Sequence, residues 1–233
     1  MHSIIPEQIS KGGVGRRDLS GSRLSISSGL RARQSHLSKQ KSMKLSDKFE
    51  EALVYANRMH CDQTRKKTGV PYIGHILGVT AIALEYGANE AEAIGALLHD
   101  VVEDCGGVKR LAEIKEKFGQ EVAKIVEGCT DTDETPKPPW RERKEKYLAH
   151  LKNSDSPTRL VSASDKLHNT RAILAELRRH GPQVWERFSG KKDGALWYYR
   201  SLVTEFRKHS EHADLTDELD RVVTEIEGIA RRS

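Results

Sequence analysis

From Leu45 onward, apolar residues recur at steps of three and four, the spacing of one face of an α-helix. Ser46 is placed to cap a first helix carrying Phe49, Leu53, Ala56 and Met59. After a loop from Arg65 to Pro71, the positions Ile73, Ile76, Leu77, Thr80 and Leu84 predict a second helix, stopped at Gly87. Asn89 caps a third, with Ile94, Leu97, Leu98, Val101 and Val102 inward as far as Gly106–Gly107. Short helices are expected around Leu111–Phe118 and Val122–Cys129. The segment Asp131–Pro139 holds three prolines and three acids and must be a loop.

An amphipathic stretch follows over 141–153, with Tyr147, Leu148 and Leu151 as its apolar members. Ser156–Pro157 reads as a cap followed by proline at the first helical position, opening a long helix to about His180 that Gly181–Pro182 closes. A final pair covers roughly 194–209 and 215–231, the latter through Leu215, Leu219, Val222, Val223 and Ile226. No alternating strand and no internal repeat is visible. The expected fold is all-α, a single helical bundle over 46–233.

Residues 1–45 break this pattern. They are rich in Ser, Gly, Lys and Arg, with scattered aliphatics, and cannot bury enough apolar surface to offset the entropy of ordering. They read as a disordered basic tail. The favoured explanation is that Met43 is the true start; an anion-seeking arm and an Arg/Ser-rich organelle presequence are the alternatives.

The tail also explains the charge. The 233-residue chain carries a formal +5, but residues 1–46 hold nine Lys and Arg against two acids, a local +7. The rest carries 30 against 32, or −2. A fold that binds duplex phosphates needs its positive charge on the folded surface, so specific nucleic-acid binding is not expected. No apolar run approaches the roughly 20 residues of a membrane-spanning helix. Three cysteines, Cys61, Cys105 and Cys129, without paired spacing suit a reducing compartment, here taken as the cytoplasm.

Candidate chemistry lies where charge interrupts apolar helical text. His99 and Asp100 directly follow Ala96–Leu97–Leu98, and Asp165 lies between Leu160–Val161 and Leu167. A buried, unpaired carboxylate costs several kcal/mol and needs a cation or strong donors. Two such acids with imidazoles nearby call for a metal ion. A set of two imidazoles and two carboxylates suits Mn²⁺, Fe²⁺, Zn²⁺ or Mg²⁺ and leaves positions open for water and substrate. On a continuous helix, His99–Glu103 and Asp100–Asp104 are i,i+4 pairs, so Glu103 and Asp104 lie one turn beyond the ion, where they can position or deprotonate a water. Acids at a helix C-terminus oppose its dipole and need such a reason. Asn169 lies one turn beyond Asp165. Arg65, Lys66 and Lys67 suggest a phosphate grip, although a solvated charge run reads equally well.

Three segments, TRKKTGVPYIGH (64–75), ALLHDVVEDCG (96–106) and SASDKLHNTRAI (162–173), resemble the signature segments of HD-superfamily phosphohydrolases. More narrowly, they resemble the hydrolase domain of RelA/SpoT proteins and the free-standing small alarmone hydrolases, over about residues 47–210. The resemblance implies that His75, His99, Asp100 and Asp165 hold a divalent metal, usually Mn²⁺. It implies water activation by Glu103 and Asp104, and substrate contacts through Arg65, Lys66 and Asn169. The implied reaction removes the 3′-pyrophosphate of guanosine tetra- and pentaphosphate, releasing GDP or GTP.

Two departures bear on the substrate. Trp140 stands about where a lysine is common in the family. Trp197, Tyr198 and Tyr199 stand about where an aromatic packs on the base, Trp197 or Tyr198 being the candidate platform and core packing the competing explanation. The alternatives are a phosphohydrolase for another nucleotide or small phosphoester, and a non-catalytic nucleotide sensor. Degenerate members that only sense usually lose a ligand or the acidic pair; this chain keeps both.

Overall fold

The computed structural model describes residues 44–65, 68–132, 134 and 136–232. The expectations for the basic tail and for Met43 lie outside these residues.

Helix α1 (Asp47–Met59) starts as expected, Ser46 Oγ accepting from the Lys48 amide. The loop to the next helix is pinned at its base: the Arg65 amide donates to Val70 O (2.8 Å) and the Tyr72 amide to Gln63 O (2.9 Å). That closure delivers Arg65 inward. Helix α2 (Ile73–Glu85) ends before Gly87, whose φ of 90° only glycine adopts at no cost. Helix α3 (Glu90–Leu98) opens with a capping box, in which Asn89 and Glu92 satisfy each other's backbone amides.

The predicted third helix is not continuous. It stops at Leu98, turns through His99 and Asp100, and resumes as α4 (Val101–Cys105). Asp100 sits at φ −99°, ψ −4°, in the sparsely populated bridge region. On an unbroken helix, neighbouring side chains diverge by about 100°. The break turns His99 and Asp100 toward one point instead, so the two parallel rows expected from the i,i+4 spacing are replaced by a convergent pair.

Helices α5 (Val108–Phe118) and α6 (Gln120–Cys129) are longer at their N-termini than the apolar pattern indicated. Helix α7 (Trp140–Leu151) follows the proline loop. Helix α8 (Ser156–His180) is capped by Asp155, which accepts from the Thr158 amide, and not by Ser156; Ser156 and Pro157 are its first two helical residues. The Asp155 carboxylate also meets Lys124 at 2.8 Å, a second reason for it to sit at the positive helix end. A 3-10 helix over Gly181–Arg187, not anticipated, buries Val184 and Trp185. Helices α9 (Lys191–Phe206) and α10 (Ala213–Arg232) complete the chain. Among the described residues there is no strand, only an isolated bridge between Thr64 and Pro71.

Helix α8 is buried all round from Thr158 to Asp165, the mark of a central element. Two apolar clusters meet beside it. One gathers α2, α6, α7, α8, α9 and α10 around Leu160, Leu167, Leu202 and Leu219; the other gathers α1 to α6 around Ile76, Leu97, Leu98 and Ile114. His75, His99 and Asp165 therefore project from elements that the cores hold rigid. The α3–α6 contact depends on Gly95, where a Cβ would fall 2.7 Å from Ile125 Cγ2. Gly95→Ala is expected to lower stability by about 1–3 kcal/mol through overpacking. Urea unfolding would measure it, and an unchanged midpoint would contradict so tight a contact.

Candidate active site

Three elements bring four side chains to one point. His75 lies in the first turn of α2, His99 and Asp100 in the α3–α4 break, and Asp165 in the buried part of α8. One ligand atom each of His75, His99 and Asp165 lies within 4.8 Å of the others. His75 Nε2 is 3.3 Å from Asp165 Oδ1 and 3.5 Å from Asp100 Oδ2. His99 Nε2 is 3.0 Å from Asp100 Oδ2 and 3.8 Å from Asp165 Oδ1. Tyr72 donates to Asp100 Oδ2 at 2.6 Å and fixes that carboxylate from outside. Burial, followed by the Asp100 charge, keeps the Tyr72 phenol protonated, pushing its pKa far above the ordinary value.

The donor set fits a divalent metal. His99 Nδ1 faces the Ala96 carbonyl at 2.8 Å and so carries a proton, which leaves Nε2 as the atom that faces the carboxylates. That Nε2 is buried and makes no hydrogen bond: its approach to Asp100 is close but out of line. A buried imidazole nitrogen with this arrangement, opposite two carboxylates, is what a hard-to-borderline cation needs.

Without an ion the charges pair among themselves. Burial works against a charged His99, but Asp100 first and Asp165 second outweigh it and push the ring up to about 9. Burial would likewise raise Asp165; Lys166 and the imidazoles prevail and hold its carboxyl far below the usual range. The sign of the stability effect follows. The protonated His99 contributes fully below about 6.5, the ordinary value, and that contribution is lost as pH rises through about 9. Metal-stripped protein is therefore expected to lose thermal stability over that window relative to a His99→Gln variant. A pH-independent difference between the two melting curves would contradict the charged ring.

Glu103 and Asp104 lie on α4, just past the break. Glu103 Oε1 meets Lys137 Nζ at 2.8 Å, and Glu103 Oε2 accepts from the Asp131 amide at 3.4 Å. Asp104 Oδ2 accepts from Gln63 Nε2 at 2.8 Å. Gln63 is itself oriented by buried His60, whose Nδ1 is 2.7 Å from Gln63 Oε1. Asn169 donates to Asp165 Oδ1 at 2.5 Å and accepts from Arg65 Nη2 at 2.7 Å. Arg65 is thus bound into the site from the loop side. Lys66 and Lys67 lie outside the described residues.

Several residues here escaped the sequence reading: Tyr72, Gln63, His168, Lys166 and Lys137. Lys166 Nζ meets Asp165 Oδ2 at 2.5 Å and lies 4.9 Å from the Tyr147 ring centroid. His168 Nδ1 is 2.9 Å from His75 Nδ1. A signal existed for Lys166 and His168, since both lie on α8 within one turn of Asp165. Lys137 and Gln63 lie on loops, where no periodicity points at a target.

The aromatic residues part company. Tyr198 is buried and lines a cavity of about 130 Å³ together with Asn169, Lys144, Lys166 and Trp140, so it borders the site. Trp197 is not part of that wall. It packs edge-on against Trp140, with the Arg141 guanidinium 3.3 Å above its ring. A larger open groove of about 690 Å³ along α1 contains none of the residues above; size alone does not make it reactive.

The chain is similar to known proteins in both sequence and fold. The family model described as HD domain matches residues 52–196. The chain is 38% identical over 138 residues to the guanosine-3′,5′-bis(diphosphate) 3′-pyrophosphohydrolase MESH1 of Xenopus tropicalis, covering 58% of this chain and 72% of that protein. The Homo sapiens protein of the same name is 38% identical over the same length. A guanosine-3′,5′-bis(diphosphate) 3′-pyrophosphohydrolase of Aquifex aeolicus is 34% identical over 128 residues, only 18% of that longer chain. Among solved structures, one described as a metazoan ortholog of SpoT that hydrolyzes ppGpp is similar with a TM-score of 0.66 at 27% identity, over 79% of this chain and 98% of that one. The protein lmo0812 of Listeria monocytogenes EGD-e is similar with a TM-score of 0.58 at 29% identity, over 65% and 97%.

Proposed function

The chain belongs to the HD domain family, and from that premise we propose that it hydrolyses the 3′-pyrophosphate of guanosine tetra- and pentaphosphate, releasing GDP or GTP and pyrophosphate. The observation that carries this reading is the convergence of His75, His99, Asp100 and Asp165 at the α3–α4 break, with Glu103 and Asp104 immediately beyond. Relatives named for this activity share over a third of their aligned residues with the chain.

His75 and His99 offer Nε2, and Asp100 and Asp165 offer carboxylate oxygens, to a divalent cation, with Mn²⁺ as the favoured ion. Such an ion, when bound, acidifies a coordinated water and polarises a phosphoryl oxygen. Glu103 and Asp104 orient the attacking water and accept its proton. Lys137, 2.8 Å from Glu103 Oε1 and 4.0 Å from Asp104 Oδ1, and Gln63, which donates to Asp104 Oδ2, hold the two carboxylates from different loops. Arg65 and Lys66 offset charge on the substrate phosphates, Asn169 contacts the sugar side, and Tyr198 borders the space for the nucleoside. The reading places this work in a reducing cytoplasm, a setting that suits three cysteines without paired spacing.

Trp140 favours a second reading, a different nucleotide on the same centre, because it stands about where the resembled family commonly has a lysine and its indole lines the cavity beside Asn169 and Tyr198. A substrate panel separates the two. Metal-stripped protein resupplied with Mn²⁺ is incubated with guanosine tetraphosphate, ATP, dGTP, NADPH and a generic phosphoester. GDP and intact pyrophosphate from the first compound are expected. Turnover of another compound alone would retain the centre and discard the alarmone. Metal binding without any turnover would favour a sensor.

A further inference from the structure

Three nitrogens stand in contact behind the centre. Arg65 Nη1 is 3.3 Å from His168 Nδ1, and His168 Nδ1 is 2.9 Å from His75 Nδ1. We propose that Arg65 and His168 together lock the tautomer of His75, so that its Nε2 is presented as a bare lone pair to a divalent cation. They are positioning residues, acting through His75.

Proton accounting leads to this assignment. A guanidinium only donates, so the His168 atom facing it must be an acceptor. If His168 Nδ1 carried a proton, that proton would be directed between an Arg65 N–H and the His75 ring, and one contact would be repulsive. With Nδ1 unprotonated, both neighbours donate to it. His75 Nδ1 therefore bears the hydrogen, and in the neutral ring Nε2 does not. That bare Nε2 faces Asp165 Oδ1 at 3.3 Å and Asp100 Oδ2 at 3.5 Å. Lone pairs opposed across such distances are stabilised by a cation between them.

Two further observations show a built arrangement. Gly78, one turn after His75 on α2, lies under the His168 ring: a Cβ there would fall 2.3 Å from His168 Cδ2 and 2.4 Å from Nε2. Any side chain at position 78 would lift the ring from His75. The second concerns the other arm of Arg65. Its Nη2 donates to Asn169 Oδ1 at 2.7 Å, which turns the Asn169 Nδ2 toward Asp165 Oδ1 at 2.5 Å. One guanidinium thus orients two members of the centre, each through a single intermediate on α8. This is a duty for Arg65 beyond contact with substrate.

The inference rests on the proposed metal centre, and the test separates the two. Mn²⁺ affinity of the full chain is measured by chelator competition for wild type, His168→Leu and His168→Asn; the asparagine retains an acceptor near the place of Nδ1. His168→Leu is expected to weaken Mn²⁺ binding about 10- to 100-fold, with His168→Asn recovering most of it. Gly78→Ala should resemble His168→Leu. Independently of any variant, long-range ¹H–¹⁵N spectra of histidine-labelled, metal-free wild type should show the neutral His75 ring protonated at Nδ1 and bare at Nε2. Equal Mn²⁺ affinity in the wild type and His168→Leu, or an Nε2–H tautomer at His75, would overturn the lock. A wild type that binds no Mn²⁺ would overturn the centre itself.

Discussion

Asp165→Asn is expected to abolish turnover, by at least about 10³-fold, and to destabilise the fold by about 3–5 kcal/mol. The two effects come from the two oxygens of one carboxylate. Oδ1 faces the imidazoles of His75 and His99 and accepts from Asn169. Oδ2 holds Lys166, which is enclosed between α8 and the Tyr147 ring. Burial pushes the Lys166 ammonium down, but Asp165 outweighs it and keeps that group charged. An amide of the same shape leaves the ammonium enclosed without its partner, and removing one member of a buried pair costs far more than the pair is worth. Denaturant unfolding with and without Mn²⁺ measures the stability loss, and pyrophosphate release from guanosine tetraphosphate measures the activity. Adding Lys166→Met to Asp165→Asn should restore stability and leave turnover absent. Turnover near wild type in Asp165→Asn would remove Asp165 from the mechanism.

The double change Glu103→Gln/Asp104→Asn should separate turnover from metal binding. Both side chains lie beyond the break, tied to Lys137 and Gln63, and neither belongs to the group of convergent ligand atoms. Mn²⁺ affinity should stay within a few-fold of wild type. Turnover should fall about 10²- to 10⁴-fold, the range that a positioned acid–base pair supplies. A normal rate at saturating Mn²⁺ would show that proton transfer runs elsewhere. Loss of metal together with rate would move the pair into the metal centre.

How much of this was legible depended on whether the signal was local. Ser46, Asn89 and Gly87 declared helix ends because a cap or a positive φ is a property of one or two residues. Asp155 took the cap expected of Ser156 because either residue can accept from the first turn, and Lys124, distant in sequence, favours the carboxylate. The 3-10 turn after His180 was illegible since its only apolar anchors, Val184 and Trp185, are too few to show a period.

The chemical residues divide in the same way. Charge set inside apolar helical text singled out His99, Asp100 and Asp165, because it demands compensation wherever it is found; the acidic pair followed from its spacing, and a role for His75 from the resemblance of its segment. That demand and the all-helical period were determined by the sequence alone. What the tertiary structure decided was direction. The α3–α4 break turns adjacent side chains to one point, the pinned loop carries Arg65 across to α8, and Gly78 admits the His168 ring behind His75. Each of these joins atoms from elements far apart in the chain. A periodicity reports which face of a helix is buried, but the partner on that face is set by how the helices pack.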